Sequence, residues 1–324
     1  MRIIYFGSAQ FGIPSLEAID NSAHELVRVF TQPARPSGRH RSKPTPTDVA
    51  QWCQKNEVPC IEAKNINASD TFAQVAECNA DLLVVIAFGQ KVSQEVIGLQ
   101  KYGAVNVHGS LLPKYRGAAP IHWAMMMGEA ETGVSIITLA EQMDAGQILA
   151  QGKIPIGPDD NFQTMHDKLS ELSVNVLMET IDKIDNGTAI YTEQDESQVT
   201  YAHKLQKKDG FINWENTAEQ ITNQIRGLWP WPSAQSVYVS AESGKSWRVT
   251  LSKARPVERE SKPDDITGQL DKNLHVICGQ GALEIVELKP AGSALMTFDA
   301  YANGHNCRQG DLFVSADIAM NGIF

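Results

Sequence analysis

One unbroken apolar run, LLVVIAF from Leu82 to Phe88, most restricts the folds open to this chain. A strand with one wet face alternates apolar and polar residues, so an uninterrupted β-branched run calls for a central strand covered on both faces. The run is also far too short to span a bilayer. Around it, short β-branched runs alternate with helix-like stretches: RIIYF with FGIPSLEAIDN, ELVRVF with PTDVAQWCQKN, VPCIE with DTFAQVAECN, and GAVNVH with APIHWAMMMGE. That rhythm predicts βαβ units and an open, mostly parallel sheet in an α/β fold.

Two further strands are expected at TGVSIITLA and GQILAQGKIPI, followed by a long helix from Phe162 to Ile184. Its apolar residues Phe162, Met165, Leu169, Leu172, Leu177, Ile181 and Ile184 recur at helical spacing, and Gly187 is the expected stop. The composition then turns polar. A short helix at TAEQITNQIRGL, a WPWP turn, and strands at SAQSVYVS, SWRVTLSKARPV, GQLDKNLHVICG and ALEIVELKP predict a smaller antiparallel β-barrel. The expected division is residues 1–189, a linker over 190–212, and a C-terminal domain over 213–324.

Five scattered cysteines without a CxxC pair suggest neither a disulfide framework nor a zinc site. MRIIYFGS reads as a first strand rather than a signal peptide, and a reducing cytoplasm is the expected compartment. A net charge of −10 weighs against general nucleic-acid binding, yet the charge is uneven. The loop TQPARPSGRHRSKPTP carries Arg35, Arg39, Arg41 and Lys43 with no acidic residue, and Lys204, Lys207 and Lys208 form a second basic stretch.

The chemistry concentrates in NVHGSLLPKYRGAAP, Asn106 to Pro120. Residues two apart in a strand face the same way, so Asn106 and His108 project together from the C-terminal end of GAVNVH. In open α/β sheets that edge is where ligands bind. An amide NH₂ and an imidazole aimed at one point can donate to an oxygen that becomes negative, as acyl transfer requires. Downstream, Asp144 is expected in a tight turn set by Gly146, where a carboxylate can orient and charge-balance the imidazole. Taken singly, an Asn-x-His is more often a strand-end polar cluster, and a turn Asp more often caps its own backbone.

NVHGSLLPKYRGAAPI, followed by ETGVSII and MDAGQIL, closely resembles the formyltransferase superfamily that uses 10-formyltetrahydrofolate. The loop FTQPARPSGR, the linker VTYAHKLQKKDGFINW, the LWPWP turn and LKPAG resemble its members that formylate the α-amino group of methionyl initiator tRNA. The resemblance runs through nearly the whole chain. It implies a Rossmann-like sheet and an OB-like barrel that binds tRNA. It makes Asn106, His108 and Asp144 the catalytic trio, with no metal. It puts the folate against Ser110, Leu111, Leu112 and Pro113, with a second wall at Ile86, Phe88 and Gly89. Arg35, Arg39, Arg41, Lys43, Lys204, Lys207 and Lys208 are the implied tRNA contacts, and a monomer suffices. Three departures stand out: FGSAQFG replaces a glycine-threonine-proline opening, Ser293 follows PAG where lysine is common, and Asn213 stands where Asp is frequent.

Three alternatives are weighed against this. An NAD-dependent oxidoreductase is disfavoured because GSAQFG lacks the middle glycine of GxGxxG and no acidic residue ends ELVRVF. A non-catalytic RNA-binding protein is disfavoured by the intact trio, and formylation of sugar nucleotides is the nearest rival. If Arg39 makes a charged contact near the reacting end of the tRNA, Arg39→Ala lowers kcat/KM for charged initiator tRNA and leaves folate affinity unaltered. A steady-state assay with each substrate varied in turn checks this; unchanged kcat/KM for the tRNA rejects the contact.

Overall fold

The computed structural model describes residues 1–36 and 44–317. Arg39, Arg41 and Lys43 lie outside the described residues. The chain forms two compact units: Met1–Pro120 with Glu131–Pro155 and His166–Ala202, and Ile121–Ala130 with Ile156–Met165 and His203–Phe324.

The first unit is built on a seven-stranded sheet. Its strands are β1 (Arg2–Gly7), β2 (Glu25–Thr31), β3 (Cys60–Glu62), β4 (Leu82–Ile86), β5 (Ala104–His108), β6 (Glu131–Thr138) and β7 (Ile148–Pro155), in the spatial order β7-β6-β5-β4-β1-β2-β3. From β5 to β3 every pairing is parallel, whereas β6 and β7 run antiparallel. Within the apolar run, Leu82–Ile86 form β4 and every one of these residues is buried, whereas the exposed Ala87, at φ +46°, lies beyond the strand. On one face Phe6, Phe30, Leu83, Val85 and Phe88 pack with Val75 and Val96, and the Phe6 ring meets Phe30 edge-on at 5.0 Å. The covering helices begin where the sequence supplies caps. Thr47 Oγ1 accepts from Ala50 N at the start of the helix Asp48–Asn56, and Ser93 Oγ does the same at Val96 N. The long helix predicted from Phe162 runs to Asp185, and Gly187 follows at φ +67°, a conformation that favours glycine.

The second unit carries an antiparallel sheet of β8 (Ala234–Val239), β9 (Ser246–Val257), β10 (Val276–Ile277), β11 (Ala282–Pro290), β12 (Met296–Thr297) and β13 (Leu312–Ser315). The order is β10-β11-β9-β8-β13, with β12 on β11. Gln269 bridges Leu312 and Leu270 bridges Val276, so one short segment joins the two edges and nearly closes the barrel. A helix over Ala218–Leu228 packs Ile221 and Ile225 into the barrel core beside Tyr238, Leu251 and Leu283. Thr217 and Gln220 cap each other's backbone N–H at its start.

Three elements of the second unit differ from expectation. GQLDKNLHVICG yields only the two-residue β10, because Asp271 Oδ1 accepts from Asn273 N and His275 N and folds the segment's middle into a turn. A helix over Phe298–His305 and the strand β13 have no counterpart in the sequence prediction. That helix contains Gly304, and burial of Phe298, Tyr301 and Ala302 holds it.

Gly133 on β6 shows how tightly the antiparallel edge is packed. A Cβ there would lie 2.1 Å from the Gly152 carbonyl oxygen on β7 and 2.5 Å from Leu111 Cδ2. The strand backbone cannot retreat as a side chain can, so Gly133→Ala is expected to cost about 1–3 kcal/mol of stability. Urea unfolding checks this, and an unchanged midpoint rejects it.

Candidate active site

Strand β5 places the first two candidate residues. It is flanked by β4 and β6, with Asn106 beside Val85 and Ile137 and His108 beside Ser135. Asn106 is half-buried, and its amide makes no hydrogen bond among the described residues. His108 is 6% exposed. Its Nε2 lies 2.9 Å from the Tyr115 carbonyl oxygen, and its Nδ1 lies 3.5 Å from Asp144 Oδ2. Both ring nitrogens therefore face acceptors. A neutral imidazole has one N–H and the imidazolium has two, so only the cation has a proton for each.

The Asp144 carboxylate is fixed from the other side: its Oδ2 accepts from Gly117 N at 2.8 Å. The turn is built differently from the sequence expectation. Asp144 itself takes the left-handed conformation at φ +55°, which Asp tolerates better than most residues. Gly146 serves close approach, since a Cβ there would fall 1.8 Å from the Thr138 carbonyl oxygen.

The exit loop after His108 is tied to β6 by Ser135, a fully buried side chain. Its hydroxyl donates to Ser110 O at 2.7 Å and accepts from Leu112 N at 3.0 Å. Gln151 Nε2 reaches both Ser135 Oγ and the Leu112 carbonyl. Ser110 Oγ donates to Lys114 O at 2.7 Å. Within this loop Ser110 and Leu112 are buried, while Leu111 and Pro113 keep partly accessible side chains. Around the end of β4 the side chains of Ile86 and Phe88 are buried, Phe88 against Phe6. What faces outward there is Ala87 and Gly89, both with positive φ. The outward-facing groups there are therefore backbone, and the Ile86 and Phe88 side chains belong to the core.

Of the basic residues, Arg35 is exposed, in a short antiparallel pairing with Thr45. Lys204, Lys207 and Lys208 are exposed in the second unit, where Leu205 between them is buried. Among the described residues no group of three or more His, Cys, Asp or Glu could hold a metal ion, and no helix is long and apolar enough to cross a membrane. Tyr115, Gly117, Ser135 and Gln151 escaped the sequence analysis. Ser135 alone left a trace, as a polar residue inside the apolar strand GVSII.

The fold and this strand-end constellation define a class. Residues 1–181 match the formyl transferase family and residues 204–306 match the formyl transferase C-terminal domain; the chain belongs to the formyl transferase family. Within it, the chain is 36% identical over 308 residues to the methionyl-tRNA formyltransferase of Geobacter metallireducens, covering 95% of this chain and 96% of that one. It is 37% identical over 304 residues to the methionyl-tRNA formyltransferase of Enterococcus faecalis, covering 94% and 96%. Among solved structures, the fold resembles WlaRD, a sugar 3N-formyl transferase, with TM-score 0.63, 16% identity and coverage of 91% of this chain and 99% of that one. It also resembles HypX from Aquifex aeolicus in complex with tetrahydrofolic acid, with TM-score 0.58, 20% identity and coverage of 93% and 47%.

Ser135→Ala strips the buried Leu112 N–H of its acceptor. The expected cost is about 1–3 kcal/mol, with faster hydrogen exchange at the Leu112 amide. Unaltered exchange there would mean that Ser135 does not hold the loop.

Proposed function

We propose that this enzyme transfers the formyl group of 10-formyltetrahydrofolate to the α-amino group of methionyl initiator tRNA. One observation carries the reading: a half-buried amide at Asn106, without a hydrogen bond among the described residues, stands two residues from an imidazole paired with a carboxylate, at the carboxyl end of an inner strand. The likeness to methionyl-tRNA formyltransferases over nearly the full chain gives the substrate. The partly accessible Leu111 and Pro113 and the outward backbone at Ala87 and Gly89 suit a flat, mixed-polarity ligand such as a folate.

The folate supplies an activated formyl carbon. The methionyl amine, neutral when it attacks, forms the new C–N bond, and negative charge develops on the formyl oxygen. Asn106 Nδ2 donates to that oxygen. His108 Nε2–H, which in the resting protein points at the Tyr115 carbonyl, is drawn to the stronger acceptor as the charge grows. Asp144 balances the charge of the doubly protonated ring and, directly or through water, takes the proton that the amine loses. The bond to folate N10 then breaks as the carbonyl re-forms, and the proton taken from the amine is passed on to N10, directly or through water, so that the folate leaves as a neutral amine.

Chemistry and tRNA binding fall to different residues. Arg35, Arg39, Arg41 and Lys43 in the first unit and Lys204, Lys207 and Lys208 in the second meet phosphates, and the barrel serves as a tRNA-binding domain. Such contacts are sequence-independent and weaken as salt rises. The chain acts in the cytoplasm as a monomer, since no step needs a second copy.

The test is a formyl-transfer assay against charged initiator tRNA, charged elongator tRNA and a nucleotide-linked amino sugar, run at two salt concentrations. Initiator tRNA is the expected acceptor, and preference for the amino sugar would reject the reading. Asn106→Ala and His108→Ala should each lower kcat by roughly 10²–10³-fold while tRNA affinity changes little, as for a donor lost from the transition state. Asp144→Asn should fall in the same range, and near-normal turnover in any of the three removes that residue from the mechanism.

A further inference from the structure

Behind Asp144 lies a buried polar chain that no step above employs. Gln194 is 8% exposed. Its Nε2 donates to two carbonyls of the carboxylate's own turn, Asp144 O at 2.7 Å and Gly146 O at 2.8 Å. Its Oε1 accepts from Arg116 Nε at 3.0 Å and Nη2 at 2.9 Å. Arg116 is itself 1% exposed and closes the chain on Glu196, with Nη2 donating to Oε1 at 2.7 Å and Nη1 to Oε2 at 3.3 Å. A guanidinium only donates, so it dictates which end of the Gln194 amide faces it. The NH₂ end is left for the turn.

The geometry has a direct consequence for Asp144. A left-handed non-glycine residue persists only where its surroundings over-determine it, and Gln194 grips the carbonyls at 144 and 146. Arg116 also adjoins Gly117, whose N–H holds the Asp144 carboxylate. Backbone and side chain of Asp144 are thus fixed by groups tied to one buried guanidinium. We propose that Gln194 is a positioning residue for formyl transfer, oriented by Arg116 and holding the Asp144 turn so that the carboxylate stays against His108 Nδ1. This rests on the reading that Asp144 serves the reaction.

The test uses the full chain and two substitutions that fail differently. Gln194→Met removes both donors and leaves Arg116 without that acceptor. Gln194→Glu keeps an acceptor for Arg116 and sets a carboxylate oxygen against the two turn carbonyls. Each is made alone and in an Asp144→Asn background, with thermal unfolding recorded and kcat and KM measured for tRNA and the folate donor. Misplacing a catalytic group by about 1 Å can cost 10²-fold, so kcat should fall roughly 10- to 100-fold in both variants. Both KM values should stay within about 2-fold, the pattern of a loss felt in the transition state. In the Asp144→Asn background the same substitutions should have no further effect on kcat, because residues acting through one group are not additive.

The proposal is overturned if a folded Gln194→Glu enzyme turns over at the parental rate, if the loss is equally large in both backgrounds, or if neither variant folds. Undiminished turnover of Asp144→Asn alone instead strikes at the role of Asp144.

Discussion

Strand Ala104–His108 sits where the sheet changes direction, parallel to Leu82–Ile86 on one side and antiparallel to Glu131–Thr138 on the other. Its register against both neighbours is the constraint on which the site depends. Side chains alternate with period two, so a slip of one residue would exchange the environments of Asn106 and His108 with that of Val107 between them. The buried neighbour strand resists such a slip, since it would move apolar residues out of the core. The antiparallel neighbour adds a polar tie. Ser135 lies opposite His108 and holds the outgoing chain through Ser110 O and Leu112 N. Strand pairing thus fixes where the imidazole points and where the next residues go.

The same economy of polar contacts governs the carboxylate. A turn with a left-handed Asp costs backbone strain, and a carboxylate near a buried ring loses hydration. Gly117 N–H meets the carboxylate, and Gln194 meets the carbonyls of the turn. Gly117 is itself at φ +127°, where a Cβ would lie 2.5 Å from the Ala202 carbonyl oxygen. The segment 116–117 pairs with Tyr201–Ala202 in a short parallel ladder. Residues far apart in sequence therefore supply the strained turn with its partners, and strain that would be lost in an isolated loop is retained.

The elements that were legible in the sequence are those whose cause is local. LLVVI could only be a strand covered on both faces, and the spacing from Phe162 to Ile184 could only be helical. Asn106 and His108 were legible together because a strand's period is short. Elsewhere the cause is remote. Gln194 meets its turn across about fifty residues of sequence, a contact to which no periodicity points. Phe88 continues an apolar run past the end of its strand, and only packing on Phe6 reveals that its ring belongs to the core. Asp144 shows a third kind of gap. A nearby glycine suggested which residue would bend the backbone, but Gly146 was needed for its lack of a side chain and Asp144 took the unusual φ.

The overall charge of −10 is compatible with an RNA substrate for a reason of scale. At physiological ionic strength charges separated by more than about 8 Å are largely screened, so a phosphate senses nearby side chains far more than the total. Lys207 and Lys208 lie on one short turn, Lys207–Gly210, where Gln206 and Asp209 cap each other's backbone. Leu205, buried just before it, anchors the backbone while the ammonium groups stay in water. Such groups lose little hydration on meeting a phosphate, and their contribution is screened and uniform. The site around His108 works by the opposite physics. In the proposed reaction its donors, a half-buried amide and a buried imidazole, would meet a developing charge that is poorly screened, so each would weigh on the rate rather than on affinity. The proposed reaction thus requires both regimes in one chain: exposed cations to hold the tRNA, and a buried imidazole and carboxylate to meet the charge that forms.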